Sequence, residues 1–218
     1  MSGSWEQLSR PSIICGILHV DTTTVRWAFG LRNLIFPGPH HIMAVAGMPF
    51  DHARNAVAAQ VQQSQDVDYL FFLDSDVVPP PDAIIRLLRH RKPIISGVYC
   101  RRSPPHGVPV MQRGGQWVTD LPQEGRDPLI EVDVVGAGCL LIHRSVLQLP
   151  PQRPGKPWFD WKVDMQGHLP PEQCMSEDFS WCKHVRDHGH KIMVDTSVRC
   201  LHIGHCQADF GSLVPLVT

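Results

Sequence analysis

Residues 71–84 read FFLDSDVVPPPDAI, and this stretch decides the fold. The apolar run from Tyr69 to Leu73 is continuous, which is typical of a strand in the middle of a sheet that is covered on both faces. Two carboxylates, Asp74 and Asp76, follow it. The prolines at 79–81 suit the start of a helix, where a missing N–H does no harm. The stretch therefore predicts a buried strand, an acidic turn and a helix.

The flanking segments extend this alternation over the first hundred residues. Apolar runs predict strands at 12–20, 41–46, 69–73 and 92–99, and helical patterns lie between them at 25–35, 51–65 and 84–90. Strands that alternate with helices indicate parallel pairing. We therefore expect an α/β protein with a mixed, mostly parallel sheet flanked by helices.

The second half of the chain has a different texture. Residues 101–128 are rich in proline, glycine and charge, with one short hairpin strand expected at 108–111. Further strands are expected at 129–135, 138–143, 191–195 and 198–202, and a helix at 176–188. The proline-rich stretch at 150–174 is too long for a simple connection, which indicates a functional loop.

Composition limits the class of protein. The chain has 218 residues, which is enough for one α/β domain. Its net charge is −1, so it lacks the overall basic character that favours nucleic-acid binding. No apolar stretch reaches the roughly 18 residues of a membrane span, and the first residues lack the pattern of a secretory signal. Seven cysteines without a CxxC pair indicate reduced thiols. We therefore expect a cytoplasmic protein.

The aspartates at the end of the third predicted strand are the first candidate site. Asp74 and Asp76 point the same way on an extended backbone, at the sheet edge where α/β proteins bind ligands. Mg²⁺ or Mn²⁺ is commonly held by one or two carboxylates together with substrate phosphates. Two alternatives remain: the pair only caps a helix or turn, or Asp74 is the nucleophile of a phosphatase.

Other polar residues admit a functional and a simpler interpretation. Arg54, near the start of a helix, could bind phosphate or hold Asp74, or could lie on a solvated face. Glu177 and Asp178 could complement a helix dipole, worth about 0.3–1 kcal/mol, and a carboxylate beside a phosphate site could equally act as a general base.

The last strand and the aromatic loop also carry candidates. His202 could reach the same metal as Asp76 or be a buried core residue. A rival interpretation is a zinc site in an interaction module, built from Cys200, His202, His205 and Cys206. Trp158 and Trp161 could stack on an acceptor sugar or form a small local core.

Taken together, these motifs resemble the GT-A glycosyltransferases, particularly the family 2-like members. The matching segments run in the family's order from residue 12 to 204: MPFDHARNAVAAQ, DYLFFLDSDVVPPPDAI, PIISGVYCRR, VVGAGCLLIHRSVL, PWF, SEDFSWCKHVRDHGHKI and LHIG. The resemblance implies one GT-A domain over 1–218, with a nucleotide-binding half at 12–100 and an acceptor and catalytic half at 101–210.

The resemblance also implies roles for single residues. Asp76, His202 and Asp74 would form the metal site, Asp178 would be the catalytic base, and Glu177 would orient the donor or acceptor. The nucleotide-sugar would be held by nine further residues: His19, Val20, Asp21, Thr22, Arg54, Ser75, Gly136, Ala137 and Gly138.

The implied reaction moves a sugar from a nucleotide diphosphate, most simply a UDP-sugar, to an acceptor hydroxyl. A cation bridging the phosphates would take up the charge of the leaving group, and a single base predicts inversion. Nucleotidyl transfer is an alternative, although GILHVDTTT is not a glycine-rich phosphate loop. The acceptor could be a glycan, a small molecule, a protein or a hydroxylated base in viral DNA; the last would need a basic groove, for which Arg101, Arg102, Arg113 and Lys156 are candidates.

Overall fold

The computed structural model describes residues 10–19, 22–102, 107–123, 125–162, 174–204, 206–209 and 212–215. The helices are α1 (Val25–Asn33), α2 (Phe50–Gln63), α3 (Ala83–Arg89), α4 (Glu177–Asp187) and a 3-10 helix (Arg144–Gln148). The strands are β1 (Ile13–His19), β2 (His40–Ala46), β3 (Tyr69–Asp74), β4 (Val77–Val78), β5 (Ile94–Val98), β6 (Met111–Arg113), β7 (Gln116–Trp117), β8 (Leu129–Val132), β9 (Val134–Val135), β10 (Cys139–His143), β11 (Ile192–Arg199), β12 (Leu201–His202), β13 (Cys206–Asp209) and β14 (Ser212–Pro215).

A seven-stranded sheet forms the centre of the molecule. Its order is β2-β1-β3-β10-β5-β11-β8, in which β10 and β8 run against the other five strands. The predicted α/β class with a mixed, mostly parallel sheet flanked by helices is confirmed. Strands from both halves of the sequence interleave in this sheet, since β10 lies between β3 and β5.

Strand β3 occupies the position that its apolar run predicts. Its residues from Tyr69 to Leu73 are buried, and neighbouring side chains point to opposite faces. Phe72 packs into a core with residues of α2 and α4, whereas Phe71 packs into a second core with residues of α1 and α3. Gly16 on β1 lets α2 approach, because a Cβ there would lie 2.7 Å from Val57.

Two smaller sheets border the central one. The first has the order β14-β13-β12-β4, and its β12–β4 pair joins the end of the chain to the acidic turn. The second has the order β7-β6-β9 and lies near the same acidic turn. Among the described residues, no helix is both long and apolar enough to cross a membrane.

Some local expectations were wrong. Within the predicted helical pattern at 25–35, the apolar residue Val25 is 73 % exposed, whereas Trp27 is buried. Residues 192–199 form one strand, not two, and β12 follows after Cys200. The turn between β6 and β7 uses Gly114 and Gly115, both with positive φ. It completes a hairpin whose first strand, β6, begins at Met111, whereas the hairpin strand was predicted at 108–111.

Candidate active site

The acidic turn lies at the carboxyl end of β3. Asp74 is the last residue of that strand, and Asp76 is in the turn to β4. Because β4 pairs with β12, the backbone N–H of Ile203 donates to the carbonyl of Asp76 at 2.7 Å. The same pairing brings His202 Nε2 to 3.6 Å from Asp76 Oδ1. Two residues from distant parts of the chain thus meet, as predicted for a shared site.

Helix α1 fixes the backbone of this turn. The indole N–H of Trp27 donates to the carbonyl of Asp74 at 2.9 Å, and the hydroxyl of Thr23 donates to the carbonyl of Ser75 at 3.0 Å. Thr24 caps the helix by accepting from the Trp27 amide at 3.1 Å. Thr24 thus caps α1, and Thr23 holds the acidic turn through the carbonyl of Ser75.

The hydrogen bond of His202 defines the state of its ring. Its Nδ1 lies 2.7 Å from the carbonyl oxygen of Cys100, and a carbonyl can only accept, so Nδ1 carries the hydrogen. In the neutral ring, Nε2 then directs a lone pair towards the carboxylate of Asp76. Only a proton on Nε2 or a cation between these two atoms makes that approach favourable. This donor set fits a metal ion whose histidine ligand is oriented by a backbone carbonyl.

Asp76 is also paired with a cation of the chain. Arg102 Nη1 lies 2.9 Å from Asp76 Oδ2. Burial raises the pKa of Asp76, but the hydrogen bond and charge of His202 and the charge of Arg102 lower it more, so the pKa lies below its ordinary value. Asp76 is therefore ionised at neutral pH, as a metal ligand must be.

Arg54 connects three elements beneath the cleft. It is 3 % exposed, its Nη2 lies 3.0 Å from Asp74 Oδ1, and its Nε lies 3.1 Å from Glu177 Oε1. Burial lowers the pKa of Arg54, but the charges of the neighbouring carboxylates raise it above its ordinary value. Within the described part of the chain, no group accepts a hydrogen bond from its buried Nη1.

The two acids that contact Arg54 are costly to ionise. Burial, the largest effect, raises the pKa of both Asp74 and Glu177, and each lies near a further carboxylate that raises it again. The Arg54 guanidinium lowers both pKa values but does not cancel these effects. Glu177 is thus part of a buried ion pair, which separates its surroundings from those of Asp178.

Asp178 is oriented by three donors. Its Oδ1 accepts from the hydroxyl of Ser176 and from the amide of Phe179 at 2.8 Å, and its Oδ2 accepts from the amide of Ala137 at 3.3 Å. It lies in the first turn of α4, where the helix dipole favours a negative charge. These contacts hold the Asp178 carboxylate in one orientation at the cleft.

The glycine corner before β10 makes room for a side chain. A Cβ at Gly136 would lie 2.2 Å from Tyr99 Oη, and one at Gly138 would lie 2.9 Å from the same atom. Tyr99 Oη accepts from the Gly138 amide at 3.0 Å, and burial raises the pKa of Tyr99 well above its ordinary value. The corner was predicted to let the backbone approach a donor sugar. In the structure the group that approaches it is Tyr99, which itself lines the cleft.

These side chains surround one cleft of about 620 Å³. It contains many of the predicted site residues, namely Arg54, Asp74, Ser75, Asp76, Trp161, Glu177, Asp178 and His202. A smaller pocket of about 350 Å³ adjoins it at the ends of β1 and β2, shares Leu18 and Phe50 with it, and contains the predicted His19.

Other predicted residues are not brought into the cleft. Trp158 is buried in the core, where its indole N–H donates to the carbonyl of Leu147 at 3.0 Å. The prediction that Trp158 stacks on an acceptor sugar is therefore wrong. Thr22 is exposed and does not line the cleft. Val20 and Asp21 lie outside the described residues.

The zinc alternative needs His205 and the side chain of Cys206, which also lie outside the described part of the chain. Within that part, no three histidine, cysteine or acidic side chains are grouped to hold a metal ion.

Four aromatic residues that line the cleft were missed, namely Phe50, Tyr99, Trp117 and Phe179. Phe179 directly follows Asp178, which was a usable signal. Trp117 lies on β7, the second strand of the hairpin that turns at two glycines. Only a prediction of that second strand would have placed Trp117 at the cleft.

Comparison with known proteins supports the fold. No family model matches the chain, and no curated protein sequence matches it. Among solved structures, A197 from STIV superposes with a TM-score of 0.63 at 16 % identity, covering 95 % of each chain. GalNAc-T7, solved with UDP, GalNAc and Mn²⁺, superposes with a TM-score of 0.53 at 12 % identity, covering 91 % of this chain but 44 % of its own. GalNAc-T7 is a GT-A glycosyltransferase, and the protein has this GT-A fold.

Proposed function

We propose that the protein is a metal-dependent, family 2-like glycosyltransferase that moves a sugar from a nucleotide diphosphate, most simply a UDP-sugar, to an acceptor hydroxyl. The observation that carries this proposal is the meeting of Asp76 and His202 beside Asp178 in a single cleft. The likeness of the fold to a glycosyltransferase solved with UDP and Mn²⁺ supports it.

Asp76 and His202 would hold the metal ion. Two ligands from the chain suit an ion that takes its remaining ligands from phosphates and water, and an imidazole ligand favours Mn²⁺ over Mg²⁺. When bound, the ion would neutralise the charge that develops on the departing diphosphate. We assign Asp74 to the ribose and phosphate side of this site, because its Oδ1 is held by Arg54.

The nucleoside would occupy the smaller pocket at the ends of β1 and β2. Ligands of open α/β sheets bind at the carboxyl ends of the strands, and this pocket opens into the cleft between Leu18 and Phe50. The buried Nη1 of Arg54 is a donor that a phosphate or sugar oxygen of the substrate would satisfy.

Asp178 would act as the base. The acceptor oxygen attacks the anomeric carbon, its proton passes to the Asp178 carboxylate, and the bond from that carbon to the phosphate oxygen breaks. The nucleoside diphosphate leaves with the bonding electrons, and direct displacement gives inversion. Glu177 would position Arg54 rather than touch the substrate, since its Oε1 accepts from Arg54 Nε.

The test is a screen of UDP- and GDP-sugars for Mn²⁺-dependent release of the nucleotide. Asp76→Asn is expected to lose both Mn²⁺-dependent UDP binding and turnover, whereas Asp178→Asn keeps UDP binding and loses turnover. Asp82→Asn, at an exposed aspartate of α3, is the matched control. Full activity of Asp76→Asn would end the metal assignment, and unchanged turnover of Asp178→Asn would end its role as base.

A phosphatase with Asp74 as nucleophile is less well supported. The attacking oxygen of such an enzyme must be free to form a bond to phosphorus, and Asp74 Oδ1 is instead engaged by a buried guanidinium. Release of inorganic phosphate from UDP by the wild-type protein would favour this reading over sugar transfer.

A further inference from the structure

We infer that Arg101, Trp117 and Phe179 form an acceptor subsite, here called the aromatic wall, and that it binds the ring of an uncharged sugar. This inference rests on the proposed function, because it gives the acceptor of that reaction a place and a chemical class. Trp117 and Phe179 were not among the predicted site residues, and Arg101 was a candidate only for a basic groove that would bind DNA.

Contacts within the aromatic wall make it a built surface. The Arg101 guanidinium lies 4.5 Å from the centre of the Trp117 ring, and that ring lies 6.1 Å from the ring of Phe179 with the planes tilted by 51°. Trp117 belongs to β7, whose short hairpin pairs through β6 with β9. The wall therefore joins the hairpin sheet to the first turn of α4 along one side of the cleft.

The position of the wall points to the acceptor rather than the donor. Phe179 follows Asp178, and its amide holds Asp178 Oδ1 at 2.8 Å. Leu18 and Phe50 instead mark the side of the cleft that opens into the nucleoside pocket. A ring placed against Phe179 and Trp117 would therefore lie next to the proposed base, where the attacking hydroxyl is needed.

The chemistry of the wall matches a pyranose. Aromatic side chains offer large apolar surfaces for the C–H face of a sugar ring, and a guanidinium offers several N–H donors for its hydroxyl groups. Trp161, which is 40 % exposed, lines the same cleft and adds a further apolar surface.

Charge favours an uncharged sugar over a nucleic acid. Four carboxylates line the cleft, namely Asp74, Asp76, Glu177 and Asp178, against the three arginines Arg54, Arg101 and Arg102. Nucleic acid is usually bound along a basic track, whereas the whole chain carries a net charge of −1. A polyanionic acceptor would meet repulsion close to the site of reaction.

The experiment compares wild type with Trp117→Ala, Trp117→Phe and Phe179→Leu, with Phe29→Ala as the control. Phe29 is an exposed aromatic residue of α1 that does not line the cleft. Binding is measured by saturation-transfer NMR with a panel of methyl glycosides and N-acetylglucosamine, without donor. Turnover is measured with the active nucleotide-sugar, using water, the same glycosides, and an oligodeoxynucleotide containing 5-hydroxymethylcytosine as acceptors.

We expect at least one glycoside to bind wild type. Binding and transfer should fall about tenfold or more in Trp117→Ala and recover in large part in Trp117→Phe, since an indole buried against a ligand ring contributes on the order of a tenfold effect. Hydrolysis of the donor by water should be unchanged in Trp117→Ala. A loss of acceptor binding can thereby be distinguished from a loss of the proposed donor chemistry. Absence of donor hydrolysis in wild type would overturn the proposed function alone.

Three results would overturn the acceptor subsite. They are binding of no glycoside by wild type, equal glycoside binding by wild type and Trp117→Ala, and transfer to the oligodeoxynucleotide with none to any glycoside.

Discussion

At the scale of single residues, Arg54 separates the roles of two neighbouring acids. It pairs with Glu177, while Asp178, one residue later, accepts from backbone and hydroxyl donors. In the sequence the two acids are equivalent at a helix start. Only the position of a buried arginine distinguishes the ion-paired acid from the one available to a substrate.

Glu177→Gln is expected to leave the protein as stable as wild type, or more stable, at pH 7. The pKa of Glu177 is raised in the folded state, chiefly by burial, so ionisation at neutral pH disfavours folding. A raised carboxyl pKa means that wild-type stability gains as pH falls from above the folded pKa towards the unfolded value of about 4.3, so the difference between the proteins should shrink there.

Thermal unfolding from pH 7 to pH 4 measures this. Glu131→Gln, at an exposed glutamate paired with Lys191, is the control. A Glu177→Gln variant that melts well below wild type at pH 7 would show that the charged pair stabilises the fold.

Arg102→Gln is expected to tighten Mn²⁺ binding when no nucleotide is present. Its guanidinium lies on Asp76 Oδ2, so it competes with a cation for the same carboxylate. Arg102 is about half exposed, and exposed ion pairs are worth up to about 1 kcal/mol, so the gain should be at most about fivefold. Titration followed by electron paramagnetic resonance of free Mn²⁺ measures it.

Arg126→Gln, which changes an exposed arginine outside the cleft, should leave Mn²⁺ affinity unchanged. Weaker Mn²⁺ binding by Arg102→Gln would contradict a metal site at Asp76.

The sequence allowed the acids to be predicted but not all of their aromatic neighbours. Asp74 and Asp76 follow a continuous apolar run, and such a run fixes where a strand ends. Trp158 and Trp117 both lie in irregular, proline- and glycine-rich regions, where position depends on tertiary contacts. Trp158 finds a backbone acceptor inside the core, whereas Trp117 is carried to the cleft by a hairpin.

At the scale of elements, α2 holds the loop that leads to the cleft. The side chain of Asn55 accepts from the amides of Trp158 and Phe159 and donates to the carbonyl of Phe159, at 3.2, 3.0 and 2.7 Å. Asp51 of the same helix pairs with Lys156 of the loop. The part of the proline-rich loop at 150–162 is therefore ordered by one helix face.

Asn55→Ala is expected to destabilise the protein by roughly 2–3 kcal/mol, because three loop hydrogen bonds are lost at about 1 kcal/mol each. Urea unfolding measures the change, and limited proteolysis should show new cleavage within 150–162. Gln63→Ala, at the exposed end of α2, is the control. A variant with wild-type stability would mean that other contacts, such as the Phe159–Trp181 stack, hold the loop.

At the scale of the whole molecule, the cleft depends on both halves of the sequence. Its lining runs from Leu18 to His202, and the β4–β12 pair closes it. The alternation of predicted strands and helices indicated the central sheet but not the pairing of β4 with β12. These two strands are only two residues long and carry no periodic hydrophobic signal.

A ligand that bridges the two halves should stabilise the entire fold. Under the proposed function, UDP with Mn²⁺ at about 100 times its dissociation constant would add about 2.7 kcal/mol, or roughly 5–10 °C in Tm for a chain of this size. Differential scanning fluorimetry measures the shift, and UDP alone and Mn²⁺ alone are the controls. A shift of equal size in Asp76→Asn would place the bound nucleotide elsewhere.

The reversed direction of β10 changes the polarity of the backbone at this edge. Its neighbours β3 and β5 end at this edge with carbonyl groups, whereas β10 begins there. The amides just before β10 therefore face the cleft: Ala137 N–H donates to Asp178 and Gly138 N–H donates to Tyr99. Peptide dipoles thus bring fixed partial positive charge among four carboxylates. One antiparallel strand thus reduces the repulsion that this acidic edge would exert on an anionic ligand, without another lysine or arginine.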